Sequence, residues 1–218
     1  DDLLKLYHSN KVNRPYRPDP MDAAQRKLKN GALSYLMAID EPSVRSLGVS
    51  QFENADNMTD SMAALACLVD LDCPEREAAL RDFYTRWQDD SLVLDKWLSL
   101  QAISSLPGTL SNVKALLDHP IFSLRNPNKV RALIGAFCAG NQLRFHGEDS
   151  AGYVFLADQV LTLDDINPQV AARLLAPLGQ WRRFDEQRQL AMQGQLSRIL
   201  EKSGLSRDVY EIASKSLD

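Results

Sequence analysis

The sequence predicts an all-α chain of stacked helical hairpins, an α-superhelix of the armadillo or HEAT kind, on three observations. Leucine (33) and alanine (22) fill 55 of the 218 positions, whereas Val, Ile and Thr together fill 22; that balance favours helices over strands. Prolines and small polar residues punctuate the chain at short intervals, and the apolar residues between them recur at helical rather than alternating spacing. Two Asn-Pro helix starts, Asn126-Pro127 and Asn167-Pro168, lie 41 residues apart, with Leu133 and Leu174 matched at the same offset. This is the repeat length of two-helix HEAT or armadillo units. Residues 1–218 are expected to form one helical domain of about a dozen helices joined by short connections.

The elements follow in order. Asp19 caps a helix with Pro20 in its first turn, and Ala24, Leu28, Ala32, Tyr35 and Ile39 line one face, predicted to be the buried one. The chain starts again near Thr59, and Met62 to Val69 is apolar on every side, as in a helix packed between neighbours; it is predicted to be the most buried. After Cys73-Pro74, the stripe Leu80, Phe83 and Trp87 marks a further helix. Ser91 to Ile103 follows with Val93, Trp97 and Leu100 on one side, and Pro107-Gly108 closes that pair. Asn126-Pro127 opens a helix burying Val130, Leu133, Ile134 and Phe137, and another runs from about Ala151 to Leu163. Asn167-Pro168 opens one burying Val170, Leu174 and Leu178. Asp185 starts a long helix through Leu200, and Ser206 caps a last one that uses Val209, Ile212 and Ala213.

Charge and motif content narrow the function. With 25 basic and 29 acidic side chains the net charge is −4, without the basic stripe that phosphate backbones require, and no apolar run is long enough to cross a bilayer. Neither nucleic acid nor membrane is expected as a partner. Cys67, Cys73 and Cys138 form an odd set with no C-x-x-C pair, which suits a reducing, cytoplasmic setting. The start, Asp1 to Lys5, has no initiator Met and no signal pattern, and reads as internal to a longer polypeptide.

Catalytic motifs are sparse. His8, His119 and His146 are far apart in sequence, so they cannot supply the paired-histidine helix of a zinc hydrolase, and each reads as a surface or capping residue. No nucleophile elbow or phosphate loop is present. Cys67 and Cys138 sit among apolar neighbours, where a thiolate is disfavoured. The carboxylate pairs Asp89-Asp90, Glu148-Asp149 and Asp164-Asp165 fall at helix ends and read as caps, and Arg182-Arg183 as a solvated face. The one constellation that stands out is at the Asn-Pro starts. Asn128, Arg131 and Gly135 share a face on one helix, and Gln169, Arg173 and Ala176 on the other. Free amides, the positive helix end and an arginine within about one turn suit an anion or a peptide carboxylate. The same arginines also read as solvated or partner-facing, the commoner role on helix surfaces.

The segment from Asn126 to Phe137, continuing from Phe145 to Tyr153, resembles the C-terminal helical domain of bacterial aminopeptidase N, of the gluzincin family of zinc metallopeptidases. So, in order, do Asn57 to Asp60, Leu92 to Trp97, Asn167 to Leu174 and the tail Leu205 to Tyr210. The resemblance spans Leu3 to Leu217, and the tail looks like the natural end of the family's polypeptide. It implies a domain that packs over a zinc-bearing catalytic domain of the same polypeptide and closes a cavity in which N-terminal residues are removed from peptides. The family's H-E-x-x-H motif, its distant glutamate ligand and its G-A-M-E-N segment are missing from this sequence, so the chain alone is expected to hold no zinc and to hydrolyse nothing. Carried over position by position, Gln169, Arg173 and Arg131 would border the substrate, orienting it rather than making or breaking bonds. An independent helical scaffold that binds a protein partner on its concave face is the alternative.

Overall fold

Local chemistry at helix starts organises the computed structural model, which describes residues 2–218; Asp1 lies outside them. Among the described residues every regular element is helical. The chain divides into two compact units, one ending at Gln88 and the other running from Asp89 to Asp218.

The first unit holds α1 (Asp2–Ser9), α2 (Pro20–Met37), α3 (Pro42–Asn54), α4 (Met58–Val69) and α5 (Pro74–Trp87). Asp19 caps α2 by accepting from the amides of Met21 and Asp22, and Asn57 caps α4 by accepting from Asp60. Helices α1 with α2 and α3 with α4 pack as pairs, and α4 also packs against α2 and α5. Neither α1 nor α3 is marked in the apolar pattern. In α1 the leucines Leu3, Leu4 and Leu6 are exposed and Tyr7 alone is buried.

The predicted face of α2 is corrected. Leu28, Tyr35 and Ile39 are 51%, 71% and 56% exposed, and only Ala32 of the expected stripe is buried. The helix instead buries Asp22, Arg26 and Lys29 along with Leu33, Leu36 and Met37. Each of the three polar residues has a partner. Asp22 accepts from the guanidiniums of Arg14 and Arg17, Arg26 lies over the Tyr16 ring, and Lys29 pairs with Asp60. Compensated charge can be buried where periodicity alone would place a solvent face.

The second unit holds α6 (Ser91–Ala102), α7 (Thr109–Leu117) and α8 (Pro127–Val130), which runs directly into a π-helix (Arg131–Gly140). Then come α9 (Gln142–Phe145), α10 (Ala151–Asp164), α11 (Pro168–Leu174), a 3-10 helix (Leu178–Arg183), α12 (Glu186–Leu200) and α13 (Arg207–Leu217). Asp90, Asn126, Asn167, Asp185 and Ser206 cap their helices through side-chain oxygens, and Asp149 accepts from the Ala151 amide. Val130, Leu133, Ile134 and Phe137 are fully buried, as the sequence predicts. The most buried helix is α10, with eight buried residues, rather than α4, with five. It packs against α11 and α12, and its Phe155 meets Phe137 edge to face at 5.7 Å.

Candidate functional site

The site forms where the π-helix, α11 and the 3-10 helix meet in the second unit. The π-helix is clamped to α6 at both ends. At its start Lys129 donates to the Ser91 carbonyl at 2.8 Å and pairs with Asp95 at 2.7 Å. At its end the Asn141 amide donates to the carbonyls of Ala102 and Ser104, and its oxygen accepts from the Arg144 amide. Between the clamps, Ser99 donates to the Ala132 carbonyl at 2.9 Å. The wider turn of a π-helix needs such outside support, because its own hydrogen bonding is poorer than that of an α-helix. It sets Arg131, Gly135 and Ala139, four residues apart, along one groove wall.

The groove has two lobes. The first, about 460 Å³, brings Arg131 and Gly135 from the π-helix together with Asn167, Gln169, Val170 and Arg173 from the start of α11. The three residues carried over from the resemblance, Arg131, Gln169 and Arg173, therefore line one lobe, although Arg131 and Arg173 come from separate helices, and Asn128 is not among its lining. Gln169 and Arg173 are exposed rather than sealed in the core. Arg131 folds back along its own helix, donating to the Pro127 carbonyl at 3.3 Å and to the Asn128 side chain. Arg173 has no ion pair among the described residues.

One expectation changes. The amides expected to be free at the Asn-Pro starts are partly taken, because Asn126 accepts from Asn128 and Asn167 accepts from Val170. The Arg173 guanidinium, the Gln169 amide and those Arg131 N–H groups that are not bonded to Pro127 and Asn128 remain for a ligand.

The second lobe, about 510 Å³, shares Cys138, Ala139, Ala176 and Pro177 with the first and adds Gln142, His146, Gln180, Arg183 and Phe184. His146 stacks on Phe184 with ring centroids 4.1 Å apart, and its Nδ1 is 2.8 Å from the Tyr153 hydroxyl. Burial, followed by the nearby Arg188 charge, holds its pKa below the ordinary imidazole value, so it is neutral at neutral pH. Cys138 is nearly inaccessible, and burial pushes its thiol well above the usual range; it is packing, not a nucleophile. Among the described residues neither lobe is lined by Asp or Glu. A cationic, carboxylate-free groove suits an anionic ligand.

Arg182 and Arg183 are both exposed, as a solvated face requires, but they have different neighbours. Arg182 lies over the Trp181 ring at 4.1 Å and reaches the Ser216 and Leu217 carbonyls, whereas Arg183 lines the second lobe. The signal that could have found the second lobe is the spacing of Pro177, Gln180 and Arg183, three residues apart, which is the period of a 3-10 turn. Among the described residues, no three His, Cys, Asp or Glu side chains gather as a metal site, and no helix is long and apolar enough to cross a membrane.

Residues 1–218 match the family described as a domain of unknown function, DUF3458_C, of ARM repeats. The chain is 41% identical over 218 residues to aminopeptidase N of Escherichia coli, covering all of this chain and 25% of that protein. It is 39% identical to aminopeptidase N of Haemophilus influenzae and 40% to that of Caulobacter vibrioides, again covering 25% of each. The chain thus spans about a quarter of the length of the curated relatives it matches. Among solved structures, Legionella pneumophila aminopeptidase A in complex with aspartic acid superposes with a TM-score of 0.91 at 35% identity, over the whole of this chain and 26% of that one. Matched along its full length by sequence and by fold, the chain belongs to this ARM-repeat family, the C-terminal domain of aminopeptidase N.

Proposed function

We propose that the chain is the non-catalytic wall of a zinc-dependent aminopeptidase. In this role it lines the substrate cavity opposite a catalytic domain in the same polypeptide and orients peptides whose amino-terminal residue is removed elsewhere in that cavity. Its own described residues gather no ligand set for zinc. The observation that carries the proposal is the convergence of Arg131, Gln169 and Arg173 on one groove from two helix starts 41 residues apart. Guanidinium and amide donors at a groove wall hold peptide carboxylates or carbonyls, and in a cavity closed from water these contacts strengthen. The likeness of the whole of this chain to a quarter of known aminopeptidases supports the peptide as ligand over an unrelated protein partner.

The test is kinetic. In the full-length polypeptide, Arg173→Ala is expected to raise KM or lower kcat/KM about tenfold while bound zinc, read by metal analysis, stays at the wild-type level. Unchanged kinetics across peptides of several lengths would remove the proposal.

A further inference from the structure

We infer that the second lobe is a carboxylate subsite in which Arg183 determines specificity, so that the groove favours peptides bearing a carboxylate beyond the part held at Arg131 and Arg173. This rests on the proposed substrate-lining role and extends it.

Backbone geometry is the first support. A 3-10 helix has three residues per turn, so side chains three apart stack on one edge, whereas in an α-helix each would fall about 60° short of a full turn. Pro177, Gln180 and Arg183 accordingly all line the lobe. Outside bonds hold the segment in this form. Trp181 donates its indole N–H to the Ser216 carbonyl at 2.8 Å, and Arg182 stacks on that indole. The neighbours of Arg183 are thus used to fix the backbone, while Arg183 itself is exposed, has no ion pair among the described residues and lines the lobe.

Charge is the second support. With a neutral His146, Arg183 is the cation of this lobe, and no carboxylate lines it to neutralise that charge. The stacked His146 and Phe184 rings give a flat wall against which a side chain can lie. Continuity is the third. Cys138, Ala139, Ala176 and Pro177 belong to both lobes, so an extended peptide can run from one to the other over small, uncharged residues. Each lobe is in the range that holds a small ligand group.

The carboxylate can come from the peptide's C-terminus or from a Glu side chain, and the experiment separates the two. In the full-length, metal-loaded enzyme, kcat/KM is measured on four matched pentapeptides. These end in Glu or Gln, each with a free or an amidated C-terminus, and are assayed with wild type, Arg183→Gln, Arg183→Lys and Arg173→Ala. Thermal melts confirm that the variants fold. Wild type is expected to prefer at least one carboxylate, terminal or side chain, about tenfold over its neutral match. Arg183→Gln brings that ratio near one, and Arg183→Lys retains part of it.

A wild type with no such preference, or an Arg183→Gln enzyme that keeps it, overturns the inference. If Arg173→Ala weakens every peptide while Arg183→Gln behaves as wild type, the subsite fails and the lining role stands. If Arg173→Ala is silent while Arg183→Gln abolishes the preference, the subsite stands and the lining role of Arg173 fails.

Discussion

Lys29 and Asp60 meet at 2.6 Å with both side chains about 10% exposed, linking α2 to α4 through a charge pair inside the first unit. The second carboxylate oxygen of Asp60 accepts from the Asn30 amide, and the Gln51 amide donates both to Asn30 and to the Asp60 carbonyl. The Lys29 and Asp60 charges are paired, although the Gln51 Oε1 in the same network is buried without a hydrogen-bond partner, so the danger lies in removing one of the two charges. Lys29→Met should cost about 3 kcal/mol, because it leaves a buried carboxylate without its cation. Urea unfolding at neutral pH measures this. Adding Asp60→Leu to the same chain should recover part of the loss, because the orphaned charge goes too. A Lys29→Met variant as stable as wild type would show that the pair is hydrated.

This network also explains what the sequence could and could not reveal. The starts at Asp19-Pro20, Asn126-Pro127, Asn167-Pro168, Asp185 and Ser206 are legible because a cap is chemistry between neighbours in the chain. The buried face of α2 is not, since it depends on Asp60, 31 residues further on. The widened turn after Arg131 depends on Asn141 reaching Ala102 and Ser104, and the narrowed one before Phe184 on Trp181 reaching Ser216. These contacts are long-range. The first lobe was within reach because Arg131, Gln169 and Arg173 lie on two motifs of the resemblance, whereas Arg183 sits beside a second arginine and reads as solvated surface.

Two glycines of the second unit should respond oppositely to alanine. A Cβ on Gly152 would stand 2.3 Å from the Phe145 carbonyl oxygen and 2.9 Å from its Cα, and backbone cannot yield as a side chain does. Gly152→Ala should cost roughly 3 kcal/mol, since α10 must shift from its packed position. Gly194, exposed within α12, has nothing within 4 Å of its Cβ position. Gly194→Ala should stabilise by about 0.5–1 kcal/mol through lower unfolded-chain entropy. Melting curves test both, and a neutral Gly152→Ala would mean that the close approach of α10 to Phe145 is not required.

Asp164 gives the second unit an acid-sensitive joint. It is nearly buried at the end of α10, accepts from the Ser206 amide at 3.2 Å and pairs with Lys202 at 3.2 Å. Burial alone pushes its pKa up, but the Ser206 bonds and the Lys202 charge outweigh burial and hold it below the ordinary 3.8. A carboxylate whose folded pKa is depressed adds stability above its unfolded pKa and loses it as pH falls through the folded one. Asp164→Asn should therefore cost about 2 kcal/mol near pH 7, and the gap to wild type should close at an acid pH below the depressed folded pKa, itself under the ordinary 3.8. Urea titrations at the two pH values decide it, and a pH-independent difference would assign the effect to packing instead.

The last prediction concerns how Arg183 is held. The Trp181 indole bonds to Ser216, and Gly179 leaves only 3.1 Å between its Cβ position and the Ser216 hydroxyl, so the 3-10 segment lies close against the end of α13. Trp181→Phe keeps a ring for Arg182 to cover but removes the N–H, leaving the Ser216 carbonyl to Arg182 at 3.4 Å. The cost in global stability should be about 1 kcal/mol. Amide exchange at Gln180 to Arg183 should quicken by more than that figure implies, since the segment loses its 2.8 Å side-chain bond to α13 and keeps those of Arg182 at 3.4 Å. If Trp181 acts on the groove through Arg183, Trp181→Phe should also lower the carboxylate preference, and adding it to Arg183→Gln should change that preference no further. Unchanged exchange across Gln180 to Arg183 would show that the narrow turn holds without its anchor, and an additive double variant would show that Trp181 acts on the groove by another route.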